Sequence, residues 1–256
     1  MTENNNKPVI EIKALDKRFG SIHAVRGISF SLGKGEVLGF LGPNGAGKST
    51  TMKMITGFLE PTGGTVSICG YDILEHPIEA KKKIGYLPEG APLYGEMTVT
   101  SFLNFIADVR GMTGTYRKKR IEEVIQKINL QSVRDQNLET LSKGFKRRVG
   151  VAQAILHDPE ILIMDEPTDG LDPNQKHEVR SLIKEMASDK AIIISTHIME
   201  EVDAVCTRAI IIASGQLLFD GTPAELLARS ETGKLDDVFR QITTQYYEQK
   251  GVVAHS

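Results

Sequence analysis

The sequence predicts an α/β fold: a parallel sheet covered by helices, an antiparallel β-subdomain at the N-terminal end, and an α-helical subdomain inserted between strands. Three observations predict it. Short, wholly apolar runs recur at Val37-Leu38-Gly39-Phe40-Leu41, Ile161-Leu162-Ile163-Met164, Ala191-Ile192-Ile193-Ile194 and Ile210-Ile211-Ile212; each is too short for a buried helix and rich in branched residues, as central strands covered on both faces are. The opening 36 residues alternate apolar and polar instead. Residues 89–157 contain no convincing strand although strands flank them, which marks a helical insertion.

In chain order, Val9-Ile10-Glu11-Ile12 and Ile28-Ser29-Phe30-Ser31-Leu32 read as half-exposed antiparallel strands. The first buried strand ends at Leu41, and a helix through Thr51, Met52 and Ile55 follows and stops at Gly57. In the insertion, Phe102, Phe105, Ile106 and Val109 form one helical stripe, and Ile121, Val124, Ile125 and Ile128 a second. Val179, Leu182, Ile183 and Met186 give a third beyond it. Pro223 opens a helix through Leu227, and another is expected from Leu235 toward Tyr247. The expected division is one domain over residues 1–222, with the insertion inside it, and a helical extension over residues 223–256.

Composition narrows the partners. Of 256 residues, 40% are hydrophobic and 25% charged, which excludes a disordered or fibrous chain. Lys plus Arg number 31 against 33 Asp plus Glu, so there is no global attraction toward nucleic acid or anionic lipid, and no nucleic-acid partner is expected. No run free of Asp, Glu, Lys and Arg exceeds eleven residues, short of the roughly 18 to 20 apolar residues that span a bilayer. The start, MTENNNKPV, lacks the basic-then-apolar layout of an export signal, so the chain is expected to stay in the cytoplasm. No repeat of 20 to 50 residues is present, and Asn4, Asn5 and Asn6 are the one low-complexity tract. Cys69 and Cys206 match no metal or redox spacing and are expected to be buried free thiols.

The strongest local signal is Gly42-Pro43-Asn44-Gly45-Ala46-Gly47-Lys48-Ser49, continued by Thr50, which matches G-x-x-x-x-G-K-[ST] between a strand and a helix. Glycines let the backbone wrap closely around an anion, and the loop N–H groups with the helix N-terminus turn positive partial charge toward a triphosphate. Lys48 adds a full charge at the β and γ phosphates, and the Ser49 hydroxyl is placed to ligate Mg²⁺. This is the phosphate loop of a P-loop NTPase core.

Ile161-Leu162-Ile163-Met164 runs into Asp165-Glu166, two carboxylates at the C-terminal edge of a buried strand, where open α/β sheets bind ligands. Asp165 can hold the Mg²⁺ shell while Glu166 orients and partly deprotonates the attacking water. The alternative, an exposed strand end turning at Pro167, loses weight beside a phosphate loop. His197 closes another apolar strand. A lone histidine there is more often structural, but near a γ-phosphate it offers a donor on the same sheet edge.

With Leu141-Ser142-Lys143-Gly144-Phe145, followed by Arg148 and Val149, and with Asp172 in Thr168-Asp169-Gly170-Leu171-Asp172, the ordered motifs cover almost the whole chain to about residue 222. In them the chain resembles the ABC-type ATPases. The resemblance implies a nucleotide-binding subunit that dimerises head to tail with a second copy of itself, sandwiching two ATP molecules, with each phosphate loop facing the signature segment of the other copy. Ser142 and the Gly144 backbone, at a helix start, would supply an anion-binding terminus, and Asp172 joins the nucleotide-binding set. Phe19, 23 residues before Gly42, sits where the family stacks an aromatic ring on adenine; its bland alternative is a core residue after the first strand. The inserted helices resemble the subdomain that meets an integral membrane permease, which would hold this chain on the inner face of the membrane.

The chain also departs from the family. Glu89, in Ile84-Gly85-Tyr86-Leu87-Pro88-Glu89, stands where Gln is usual. A carboxylate accepts but cannot donate, so Glu89 could hold a metal-bound water and would disfavour direct contact with phosphate. Lys143 and Phe145 replace the commoner Gly and Gln, and Asp169 replaces a small or amide residue. These variants resemble ATPases of exporters with separate permease subunits, the type-2 ABC exporters. Lys143, Lys146, Arg147 and Arg148 read as a solvated helix face in preference to a nucleic-acid patch.

The leading expectation is an ATP-hydrolysing energy subunit of a membrane exporter. A soluble relative acting on ribosomes or DNA would commonly carry two cassettes or a coiled-coil insertion, and this chain has one cassette and no heptad run. A regulatory subunit that binds ATP without hydrolysing it draws slight support from Glu89 and the altered signature.

Overall fold

The computed structural model describes residues 7–90, 93–230 and 232–250. The Asn4 to Asn6 tract, two residues of the expected insertion and the end of the C-terminal extension lie outside the described residues. The chain runs β1 (Ile10–Phe19), β2 (Ile22–Leu32), β3 (Val37–Leu41), α1 (Lys48–Ile55), β4 (Gly63–Ile68), β5 (Tyr71–Asp72), α2 (Pro77–Lys82) and β6 (Ile84–Leu87). It continues through α3 (Val99–Val109), α4 (Gly114–Lys127), α5 (Lys143–Ile155), β7 (Ile161–Asp165), α6 (Pro173–Ala187), β8 (Ala191–Thr196), α7 (Met199–Val205), β9 (Arg208–Ala213), β10 (Gln216–Gly221), α8 (Pro223–Leu227) and α9 (Leu235–Lys250).

Two sheets organise these elements. The first is antiparallel, in the order β2-β1-β4-β5, and the second has six strands in the order β10-β9-β3-β8-β7-β6. In the second sheet β9, β3, β8, β7 and β6 are parallel, and β10 returns antiparallel to β9 at one edge. The parallel sheet expected from the apolar runs is therefore present, with an antiparallel edge strand added to it. β6 and β10 escaped the sequence reading.

Period-2 alternation explains why the central strands read as unbroken apolar runs. On β7, Ile161 and Ile163 face a core shared with α1 and the antiparallel sheet, while Leu162 and Met164 face the core of α3 to α6. On β8, Ile193 and Ile192 divide the same way. Both faces are dry, so neither tolerates polar alternation. A third cluster, of Leu41, Met199, Val202, Ile211, Phe219, Leu226 and Val238, seats α7, α8 and α9 against the β9 end of the sheet.

The inserted helices form as expected, with one rotation. On α4 the stripe Ile121, Val124, Ile125 and Ile128 is buried throughout. On α3 the buried face is Val99, Phe102, Leu103 and Ala107, whereas Phe105 and Val109 are 37% and 68% exposed. The stripe picked from spacing alone was displaced around the helix because α3 is apolar on most sides. Side-chain caps fix the helix starts: Thr98 on α3, Ser142 on α5, Asp172 on α6 and a Thr222–Glu225 capping box on α8. Cys69 and Cys206 are free thiols, each partly buried where full burial was expected. Desolvation pushes them up to about 11 and about 12 respectively. No helix among the described residues is long and apolar enough to cross a membrane.

Candidate nucleotide-binding and hydrolysis site

The phosphate loop leaves the C-terminal end of β3 and enters α1 at Lys48. Its shape requires glycine at two points. Gly45 and Gly47 have φ of 76° and 103°, a region that side-chain-bearing residues occupy only at a cost. At Gly47 a β-carbon would also lie 2.5 Å from the Ala24 carbonyl oxygen of β2, whereas at Gly45 it would meet nothing within 4 Å. The loop is locked from behind by the Gly215 N–H, which donates to the Ala46 carbonyl at 2.9 Å. No side chain caps the first N–H groups of α1 and no acidic residue sits in its first turn, so its positive end is free for an anion.

Lys48 is 8% exposed and folds back on the loop, donating to the carbonyls of Gly42 at 2.6 Å and Pro43 at 3.2 Å. Burial lowers its pKa, opposed by the charges of Glu166, Asp165 and Glu89. Those three carboxylates line one cavity of about 200 Å³ together with Asn44, Gly45, Gly47, Lys48, Ser49 and Thr50. Six loop residues therefore share this cavity with the carboxylates that the sequence singled out for metal and water. A buried ammonium amid main-chain carbonyls, an uncapped helix terminus and open space around Gly45 fit a polyphosphate.

The acidic pair sits at the end of β7. Asp165 is 3% exposed, and Glu166 is held at φ 50°, left-handed for a residue with a side chain. Such strain persists only where surroundings impose it. Here the Glu166 N–H donates to the Ser195 carbonyl of β8 at 2.8 Å, and Glu166 Oε1 meets His197 Nδ1 at 3.0 Å while Oε2 is buried without a protein partner. His197 is itself 57% exposed, so its pairing with Glu166 distinguishes it from a packed structural histidine. Among the described residues no group of three or more His, Cys, Asp and Glu forms a metal cage. Ser49, Asp165 and Glu89 instead offer a hydroxyl and two carboxylates beside phosphate space, the donor set with which Mg²⁺ keeps waters and binds substrate oxygens.

The remaining expected residues lie elsewhere. Ser142 is exposed and caps α5 by accepting from the Phe145 N–H at 3.3 Å. Gly144 is buried under the Gln175 side chain. Neither lines the phosphate cavity. Asp172 caps α6, accepting from the N–H groups of Asn174 at 2.9 Å and Gln175 at 3.0 Å. Phe19 ends β1 with its ring 46% exposed and Lys17 Nζ 5.1 Å above it, which removes the core alternative.

The basic run was misread in part. Arg147 is 8% exposed and donates only to main-chain carbonyls, at Pro167, Pro88, Asp165 and Glu166. Arg148 stacks on Phe145 at 5.3 Å and pairs with Glu178. Charge type does not show burial, and a helix start packed against two strand ends encloses what spacing alone leaves in solvent. Glu201 on α7, 1% exposed, was also missed. Burial raises its pKa, against the pull of Thr196, Arg180 and Lys176 and with a push from Glu166.

Comparison with known proteins agrees with this geometry. The family profile described as ABC transporter matches residues 25–169. The linearmycin resistance ATP-binding protein LnrL of Bacillus subtilis (strain 168) is 39% identical over 222 residues, 86% of this chain and 71% of that protein. The probable multidrug ABC transporter ATP-binding protein YbhF of Escherichia coli (strain K12) is 37% identical over 90% of this chain, which spans 40% of that longer protein. A solved ATP-binding subunit of an ABC transporter superposes with a TM-score of 0.83 at 29% identity, covering 91% of this chain and 99% of that one. With a phosphate loop, an acidic strand end and a paired histidine on one sheet edge, this chain belongs to the ABC transporter family and is an ATP-binding, ATP-hydrolysing subunit.

Proposed function

We propose that this subunit powers a separate integral membrane permease of an exporter by closing head to tail on a second copy of itself around two ATP molecules. The observation that carries this reading is the division of the site: the phosphate loop, Glu89, Asp165 and Glu166 share one cavity, and exposed Ser142 at the start of α5 lies outside it. A triphosphate bound to the loop would have an open side, and the signature helix α5 starts at an exposed serine whose side chain caps only one of its first N–H groups. Two copies complete each other. The resistance and multidrug roles in the names of LnrL and YbhF support export.

In this reading residues 42–50 wrap the triphosphate and Phe19 stacks on adenine. Mg²⁺, held by Ser49, Asp165 and a water on Glu89, would neutralise charge between the β and γ phosphates. Glu166 accepts the proton of the attacking water. His197, its position fixed by Glu166 Oε1, donates to the γ-phosphate. Ser142, Gly144 and Asp172 meet the nucleotide of the other copy. Residues 1–222 form the ATPase unit, the insertion at about 89–157 meets the permease, and residues 223–256 form a C-terminal extension. The permease holds the subunit at the cytoplasmic face of the membrane.

Glu166→Gln tests the reading. It keeps side-chain size and removes the base, so turnover should fall by roughly 10² to 10⁴ while Mg-ATP accumulates a dimer visible by light scattering. A strictly monomeric ATP complex, even with the permease supplied, would overturn it.

A further inference from the structure

We infer that Arg147 is a positioning residue through which the signature helix sets the geometry of Glu166. Arg147 lies on α5, little more than one turn beyond Ser142. Its guanidinium Nε donates to the Pro167 carbonyl at 3.0 Å, Nη1 to Pro88 at 3.2 Å, and Nη2 to Asp165 at 2.5 Å and also to Glu166. Four acceptors from two separate chain segments thus converge on one planar fork. All of them are main-chain oxygens, so the contact fixes peptide planes and leaves the side chains of Asp165 and Glu166 free for chemistry.

The location explains a strained residue. Glu166 is held left-handed, and Arg147 grips the carbonyls of Asp165, Glu166 and Pro167, on both sides of that unfavourable torsion. The Glu166 N–H bond to Ser195 pins the peptide from the other side. In this backbone state Oε1 reaches His197 Nδ1. The fourth acceptor, Pro88, precedes Glu89, so the same fork reaches the loop carrying the third carboxylate of the cavity. Arginine suits this and lysine does not: the guanidinium presents donors in fixed divergent directions, whereas an ammonium concentrates its donors on one atom and cannot span both segments.

This inference rests on the head-to-tail reading for one of its consequences. When the nucleotide of the second copy engages Ser142 and Gly144, a shift of the first turns of α5 passes through one rigid group to Glu166 and to the Glu89 loop. A subunit would thereby align its own hydrolytic base in response to ATP held by its partner.

The test uses the full chain as Arg147→Lys and Arg147→Met. Both should keep ATP binding and KM at wild-type level while kcat falls by about 10²-fold, the scale of a misplaced catalytic group, with lysine recovering less than a tenth of the loss. In the Glu166→Gln background, both variants should still form the ATP-dependent dimer. Undiminished kcat in Arg147→Met, with dimerisation intact, overturns the role of Arg147 alone. Failure of the Glu166→Gln protein to dimerise with Arg147 intact counts against the head-to-tail reading alone. Should both variants prove unfolded by thermal melting, hydrogen exchange of the Glu166→Gln protein decides: the amides of residues 165, 166, 168 and 169 should gain protection on ATP-driven dimerisation, and unchanged protection overturns the inference.

Discussion

Alanine at Gly47 and alanine at Gly45 separate two physical demands on the phosphate loop. Both glycines are left-handed, at φ 103° and 76°, and an alanine forced into such a conformation costs about 1–3 kcal/mol. Only Gly47 adds a collision, with the Ala24 carbonyl 2.5 Å from the new β-carbon. Because that neighbour is backbone in a paired strand, it cannot swing aside, and relieving the overlap costs roughly another 1–3 kcal/mol. Gly47→Ala should therefore destabilise by about 2–6 kcal/mol and Gly45→Ala by about 1–3, or less where the alanine also stiffens the unfolded chain. At roughly 2–4 °C per kcal/mol for chains of this size class, calorimetry should show Gly47→Ala melting well below Gly45→Ala. ATP titration should register both changes, because Gly45 and Gly47 both line the phosphate cavity, so loss of ATP affinity need not follow the order of melting losses. Equal melting losses, or a larger loss at Gly45, would refute the assignment of the Gly47 cost to Ala24.

Two further outcomes follow from single side chains. Phe19→Ala should change stability by less than about 0.5 kcal/mol, since its ring is exposed, yet lose roughly 1–3 kcal/mol of ATP affinity if base stacking operates; calorimetric titration showing equal affinity removes Phe19 from the adenine site. Glu201→Gln should alter the pH dependence of stability. Burial raises the folded-state pKa of Glu201 above its unfolded value, so its contribution is full at low pH and is lost as pH rises through the folded pKa. Melting curves taken upward from about pH 4.3, the ordinary carboxylate value, should show the variant gaining on the wild type, and parallel curves would contradict this.

How far the sequence reveals the structure depends on what each segment packs against. β3, β7, β8 and β9 are legible because both of their faces are dry, and the phosphate loop is legible because backbone geometry restricts its composition. β6 is not: four residues with a central glycine carry little strand preference. That glycine answers to tertiary packing, since a β-carbon at Gly85 would meet the Ala154 carbonyl of α5 at 2.1 Å. Asp172 enters the sequence reading only as a nucleotide contact, and the structure shows it capping α6. Arg147 is illegible for a different reason. Lys143 and Arg147 share a helix side at i and i+4 with the same charge, and only the arrival of two strand ends above Arg147 distinguishes them.

The position of β8 between β3 and β7 acts as a spacer gauge. Adjacent strands stand about 4.8 Å apart, so one intervening strand separates the end of β3, which leads into the phosphate loop, from the end of β7, which carries Asp165, by about 10 Å. Direct neighbours would halve that separation. The ladder sets depth as well, since Leu41 pairs with Thr196 and Asp165 with Ser195 on the same strand. Side chains along β8 can therefore drift while the reaction chamber keeps its dimensions, but an inserted or deleted residue there would misalign both walls at once.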